Sequence, residues 1–347
     1  MRLPEPRGPL SEELFAILVQ RPQDLPLTLA RRACTLTTDV HMDEDFQITL
    51  FVCYALHYRG FDGVDDDWEW QPSLLTIRAA LEGALERCLR TLVRLPEIAP
   101  ADLPRYLLDV GTPRSGPSLS AHMKSETTLD HFREFAIHRS LYNVMEADPH
   151  TFAIPRLTGR AKCALIEIQA DEYGGGRPGR THAELFQMMM AALDLDSSYG
   201  AYVECIPAVS ISVVNSLSLF VLHRRLRGAL LGQLAISEIG SSVTNRRFSQ
   251  GLVRLGASKS AQVFYDEHVE ADAVHEQVAA HDMCGSFVAE APAEQTHVLL
   301  GALTTSLLKG LSNRLMLSQW ERGESSLRVP AALTRRTQAE PGGTYAK

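Results

Sequence analysis

The sequence predicts an all-α fold, a bundle of seven helices carrying an N-terminal helical extension. Three observations predict it. Apolar residues recur with helical period along most of the chain. The polar–apolar alternation of a half-buried strand is scarce. From residue 129 onward, long amphipathic segments follow one another with only the short breaks GGGRPG, LDLDSSYG, TNRR and LGASKS. Short connections of this kind join antiparallel helices that share one core.

Taken in order, Ser11 is placed to cap a first helix, with Glu12 and Glu13 in its first turn facing the positive end of the helix dipole. Helices are expected at 43–58 and 72–95, separated by the loop GFDGVDDDWEW. Residues 96–118 read as a connector, with turn chemistry at GTPRSGP. The bundle helices fall at 129–147, 157–173, 181–194, 206–222, 225–243, 261–281 and 294–319. Residues 1–120 are therefore an extension, 121–322 the bundle, and 323–347 a polar tail expected to be mobile.

Composition bounds the function. Of 347 residues, 45% are hydrophobic and 22% charged, which suits a globular protein with a sizeable core. A net charge of −8 repels phosphate backbones, so no nucleic acid is expected as a partner. The start of the chain lacks the basic end and apolar run of a signal peptide. The most apolar run, 207–222, is short and carries Ser210, Ser212, Asn215, Ser216 and Ser218, so a buried helix is expected rather than a membrane span. Cys34, Cys53, Cys88, Cys163, Cys205 and Cys284 are scattered without a CxxC pair. They read as buried thiols in a reducing cytoplasm, not as a disulfide frame or a zinc knuckle.

The sharpest local signal is FYDEHVEADAVHEQ, where His268, Asp272 and His275 are spaced by four and three residues and point from one side of a helix. Imidazole and carboxylate together suit iron, manganese or zinc. The same stripe is also compatible with a solvated face. His281 falls roughly opposite His268 and reads as surface. A dinuclear site needs carboxylates from facing helices. Glu146 ends the run FAIHRSLYNVME, and Glu172 closes ALIEIQADE. Glu238 sits in RGALLGQLAISEIG, where a lone carboxylate is costly to bury unless a positive group meets it. His182 opens the helix after GGGRPG, a turn sharp enough to bring it back to Glu172. No Lys-Ser/Thr follows that turn and no strand precedes it, so it is not a phosphate loop.

The runs IEIQADEYGGGRPGRTHAELF and FYDEHVEADAVHEQ resemble the heme-oxygenase-like diiron oxidases, the iron-containing redox enzymes. The resemblance covers roughly residues 125–320 and is carried by seven ligand-type residues in order across five helical segments. It implies a seven-helix heme-oxygenase-like bundle with two iron ions as cofactor and O2 as co-substrate. Glu146, His182 and His275 would serve one iron, Glu238, His268 and Asp272 the other, with Glu172 reaching either. It further implies a peroxo-diiron(III) species that oxidises a small-molecule substrate, with an electron donor restoring Fe(II). N-oxygenation of an amine or amino acid is the favoured outcome. Oxidative C–C cleavage, desaturation or decarboxylation of an amino acid or fatty acid is the alternative, and a metal scaffold or ferroxidase without organic substrate the second. Four carboxylates balance two ferrous ions in charge, which supports the set independently.

Other conspicuous residues have plainer readings. Glu167, Glu184, Glu267 and Glu270 read as solvated or capping groups, and Met188–Met189–Met190 as core filler. Arg224–Arg225 and Arg246–Arg247 read as surface charge, or else as anchors for a substrate carboxylate. The extension either covers the bundle or builds the interface of a homodimer.

Overall fold

The computed structural model describes residues 1–34, 39–112 and 118–331. Most of the turn expected at GTPRSGP and the tail from 332 lie outside the described residues. Among the described residues there is no strand, only an isolated parallel bridge between Arg2 and Asp62. The extension contains α1 (Pro9–Leu18), α2 (Leu27–Cys34), α3 (Glu44–Ala55), α4 (Pro72–Leu92) and α5 (Leu103–Gly111), and α6 (Leu119–Ser125) straddles its boundary with the bundle. The bundle continues with α7 (Leu129–Asn143), α8 (Gly159–Glu172), α9 (His182–Ala192), α10 (Ala208–Leu222) and α11 (Arg227–Glu238). It closes with α12 (Ser241–Arg254), α13 (Lys259–Gln277), α14 (Ser286–Glu290) and α15 (Gln295–Glu321), with a π-helical stretch, Val278–Gly285, joining α13 to α14.

Three boundaries differ from the pattern reading, each for a physical reason. The first helix begins at Pro9, which has no N–H to lose at that position, and Ser11 lies inside it. The amides of Leu10 and Ser11 donate instead to Asp45 of α3, each at 2.8 Å. The cap comes from another helix, which no local pattern reveals. The segment read as one helix over 225–243 breaks at Gly240, whose φ of 72° is the left-handed conformation that ends helices. The basic TNRR therefore lies inside α12 rather than between helices. The connector holds α5, whose buried Leu103, Pro104 and Leu107 pack it against the π-helical stretch and α11.

Close packing is clearest between α11 and α15. A Cβ at Gly232 would run into the carbonyl of Val298, and one at Gly301 into that of Ala229. The two backbones touch there, so only glycine fits. α10, the most apolar run, is buried almost all round, and among the described residues no helix is long and apolar enough to cross a membrane. The extension is stitched to this helix. Asn215 Nδ2 donates to Gln47 O (2.9 Å) and Oε1 (2.8 Å) on α3. Glu44 accepts from the amide of Ala208 (2.7 Å), capping α10 where Pro207 offers no side-chain oxygen. One apolar cluster runs from Leu10 to Trp320.

The described start of the tail lies against the bundle. Ser326 donates through its amide (2.8 Å) and hydroxyl (2.6 Å) to Glu134 Oε2, and it packs on the buried His138. That imidazole sits between the hydroxyls of Ser210 (2.9 Å) and Ser326 (3.0 Å). Burial pushes His138 down to about 4. Between about pH 6.5 and 4 the unfolded chain therefore takes up a proton that the folded chain refuses, and stability falls as pH falls. The loss is about 3 kcal/mol over that window. Urea unfolding near pH 7 and near pH 4 is expected to show a smaller loss in His138→Asn than in the native chain. Equal losses in both would remove His138 as the cause.

Candidate metal centre

The ends of α8, α9 and α11 each deliver one ligand-type side chain. α8 terminates at Glu172, and Gly174, Gly175 and Gly176 follow with φ of 59°, 62° and 74°. A side chain at Gly174 would strike the backbone of Arg180, so the reversal requires glycine. Thr181 then caps α9 and Glu184 completes the capping box. The turn sets Glu172 Oε2 3.0 Å from His182 Nδ1. Both residues are buried.

Glu146 lies in the turn after α7, held there by the left-handed Ala147 (φ 72°). Asn143 Nδ2 donates to its Oε1 at 2.8 Å, while Oε2 is buried without a hydrogen bond. On α13, His268 Nδ1 lies 2.8 Å from the carbonyl of Phe264. A carbonyl only accepts, so Nδ1 carries the proton and Nε2 presents its lone pair. Nε2 is 4.0 Å from Glu146 Oε2, and the ring lies 4.2 Å from that of His182. Donor atoms of Glu146, His182 and His268 all fall within 4.8 Å of one another.

A second pair lies further along α13. His275 Nδ1 is 3.4 Å from Glu238 Oε2, and its Nε2 is 2.9 Å from Asp171 Oδ2. Burial pushes the Glu238 carboxyl up, but His275, His268 and His150 outweigh it and hold the group below its ordinary value. The side chain of Asp272 lies outside the described residues.

His268 stands with Glu146 and His182, and His275 with Glu238. Seven residues of helix separate the two imidazoles by about 10 Å along the axis, so each meets a different neighbour. The other six described or partly described positions of the expected set converge on this region, and three residues that support them were not anticipated. Asn143 and Asp171 orient ligand-type groups through contacts that no spacing encodes. Lys309 is different, being a lone charge in the apolar run LLGALTTSLLKGL, the same signal that singled out Glu238.

Beside the cluster lies a cavity of about 310 Å³, bordered by Glu146, Glu172, Glu238 and His268 and by the aromatic rings of Phe135, Phe186, Phe248 and Phe264. Arg139 and Lys309 complete its wall. Burial pushes the Lys309 ammonium down to about 7, with Arg139 adding to the effect and Glu146 and Glu238 opposing it. The plainer readings hold elsewhere. Glu167 and His281 are exposed, Glu184 caps α9, and Glu267 pairs with Arg180 at 2.7 Å. Met189 and Met190 are buried while Met188 is exposed. Arg225 pairs with Glu86 (2.6 Å) and Arg247 donates to Ser120 (3.1 Å), both away from the cavity lining.

The donor set fits iron. It is made of oxygen and imidazole nitrogen with no thiolate, the combination that suits non-heme iron. Glu146 Oε2 is buried without a hydrogen bond, a cost that a bound cation removes. Comparison with known proteins agrees. No curated protein matches the chain. The model of the family described as iron-containing redox enzyme matches residues 133–310, which span every ligand-type residue named above. By that match, and by an all-α bundle of the heme-oxygenase-like kind, the chain belongs to the iron-containing redox enzymes, iron-dependent oxidoreductases.

Proposed function

We propose that the chain binds two iron ions through Glu146, Glu172, His182, Glu238, His268, Asp272 and His275 and, with O2, oxidises the nitrogen of a small amine or amino acid. The observation that carries this reading is the doubling of the site. Glu146, His182 and His268 converge at one place, Glu238 and His275 at another, and Glu172 stands 3.0 Å from His182. Two such half-sites bordering one cavity are what a dinuclear centre needs.

Iron, when bound, supplies the activation of O2, which closed-shell side chains cannot perform. The chain supplies the rest. The Phe264 carbonyl fixes the His268 tautomer, Asn143 orients Glu146, and Asp171 orients His275. Phe186 and Phe264, packed edge to face at 5.0 Å, keep water from the cluster. The net reaction joins an amine, O2, two electrons and two protons into a hydroxylamine and water, the electrons coming from an external donor. A cavity of about 310 Å³ is at the small end of ligand sites, which favours an amine or amino acid over a long acyl chain.

Anaerobic loading with Fe(II), metal counting and stopped-flow absorption on mixing with O2 test the reading. Two irons per chain and a visible transient whose decay is quickened by an amine are expected. One iron, or no transient, would overturn it, and O2 uptake indifferent to every amine and amino acid would assign a ferroxidase instead.

A further inference from the structure

Among the cations near the cavity, Arg139 stands apart. Its guanidinium opens onto the cavity from α7, yet it makes no hydrogen bond or ion pair among the described residues. It lies over the face of Phe135, 5.4 Å from the ring centre. A guanidinium carries five N–H donors, and those of Arg139, half-buried at the cavity wall, are available to a ligand that supplies acceptors. Lys309, on α15, uses a single donor, to Ser237 Oγ at 3.0 Å, and also comes within ion-pair distance of no carboxylate among the described residues.

The two cations share a place. A smaller void of about 30 Å³ lies behind the main cavity, and Arg139, Tyr142, Lys309 and Asn313 border both. They form the dividing wall, while Glu146, Glu172, Glu238 and His268 border the main cavity alone. Charge argues the same way. If two ferrous ions neutralise the four carboxylates, the wall cations are left for something that enters the cavity to compensate.

We infer that Arg139 and Lys309 form a carboxylate-binding subsite, so that the substrate is a small acid held by its carboxylate at this wall with its oxidised atom towards the cluster. The inference rests on the oxidase reading and narrows it from amines in general to amino acids. A planar fork and a point ammonium on one cavity wall suit a carboxylate, which both can hold through charge-assisted hydrogen bonds. Neither Arg225 nor Arg247, the cations that stand out in the sequence, borders the cavity.

Calorimetric titration of the Fe(II)-loaded chain under argon with butanoate, 4-aminobutanoate and 1-aminobutane tests it, with iron counted in each sample. Both acids are expected to bind and 1-aminobutane to bind at least about tenfold more weakly, the worth of one charge-assisted contact. Arg139→Met and Lys309→Met are each expected to weaken butanoate about tenfold or more without changing iron content, and Arg139→Lys to lose less. No heat from either acid, amine binding as tight as acid binding, or butanoate affinity unchanged in the variants would overturn the subsite. Should Arg139→Met fail to fold, Arg139→Lys and Lys309→Met decide. A chain with fewer than two irons that still binds butanoate through Arg139 would sink the dinuclear reading and leave the subsite standing.

Discussion

His268→Ala is expected to lose iron and the O2-dependent transient together. Its Nε2 is the lone pair that the Phe264 carbonyl keeps free, and no neighbouring imidazole replaces it, because His275 is committed to Glu238 further along α13. Glu238→Ala is expected to empty the other half-site in the same way. Removing an outer partner costs about ten- to a hundredfold in metal affinity, so loss of a direct ligand is expected to exceed that. Asp171→Asn, which only weakens the hold on His275 Nε2, falls inside that range and is the graded comparison. Glu167→Gln, at an exposed site on the same helix as Glu172, is expected to change neither iron content nor transient. Two irons retained in His268→Ala would remove it from the ligand set.

The second large effect is on stability. Glu146, Glu172 and Glu238 are buried together, and the charge is expensive without a cation. Saturating Fe(II) under argon is expected to raise the unfolding free energy by about 3 kcal/mol per ion at a hundredfold excess over Kd. Glu146→Gln separates the two contributions. It keeps the bond from Asn143 and removes a negative charge whose second oxygen has no hydrogen bond. The metal-free variant is expected to be as stable as the native chain or more so, while its response to Fe(II) shrinks. Differential scanning fluorimetry with and without Fe(II) reads both. A less stable metal-free variant with an undiminished iron response would contradict the assignment.

The fold was legible because helices declare themselves locally. Seven of the bundle segments announce a helix by period and by short breaks, and α10 could be read as buried from its composition alone. What escaped is what depends on partners. The cap of α1 comes from Asp45, and the break at Gly240 turns on a left-handed backbone that a single glycine within a helical pattern does not by itself announce. The ligand-type residues were visible because buried carboxylates and histidines look costly in an apolar context. Their pairing was not, since which imidazole meets which carboxylate depends on how α13 crosses its neighbours. Arg139 was hidden in a helix of mixed character, whereas Lys309 carried a signal that went unread.

The glycine reversal between α8 and α9 bears on the order in which the centre assembles. Glu172 and His182 are ten positions apart in the chain, while Glu146 and His268 are more than a hundred apart. Closing the shorter loop costs about 2 kcal/mol less in chain entropy. The α8–α9 hairpin, with Glu172 and His182, is thus the part of the centre that a growing polypeptide holds ready first, and iron captured there would act as a template on which the later helices dock.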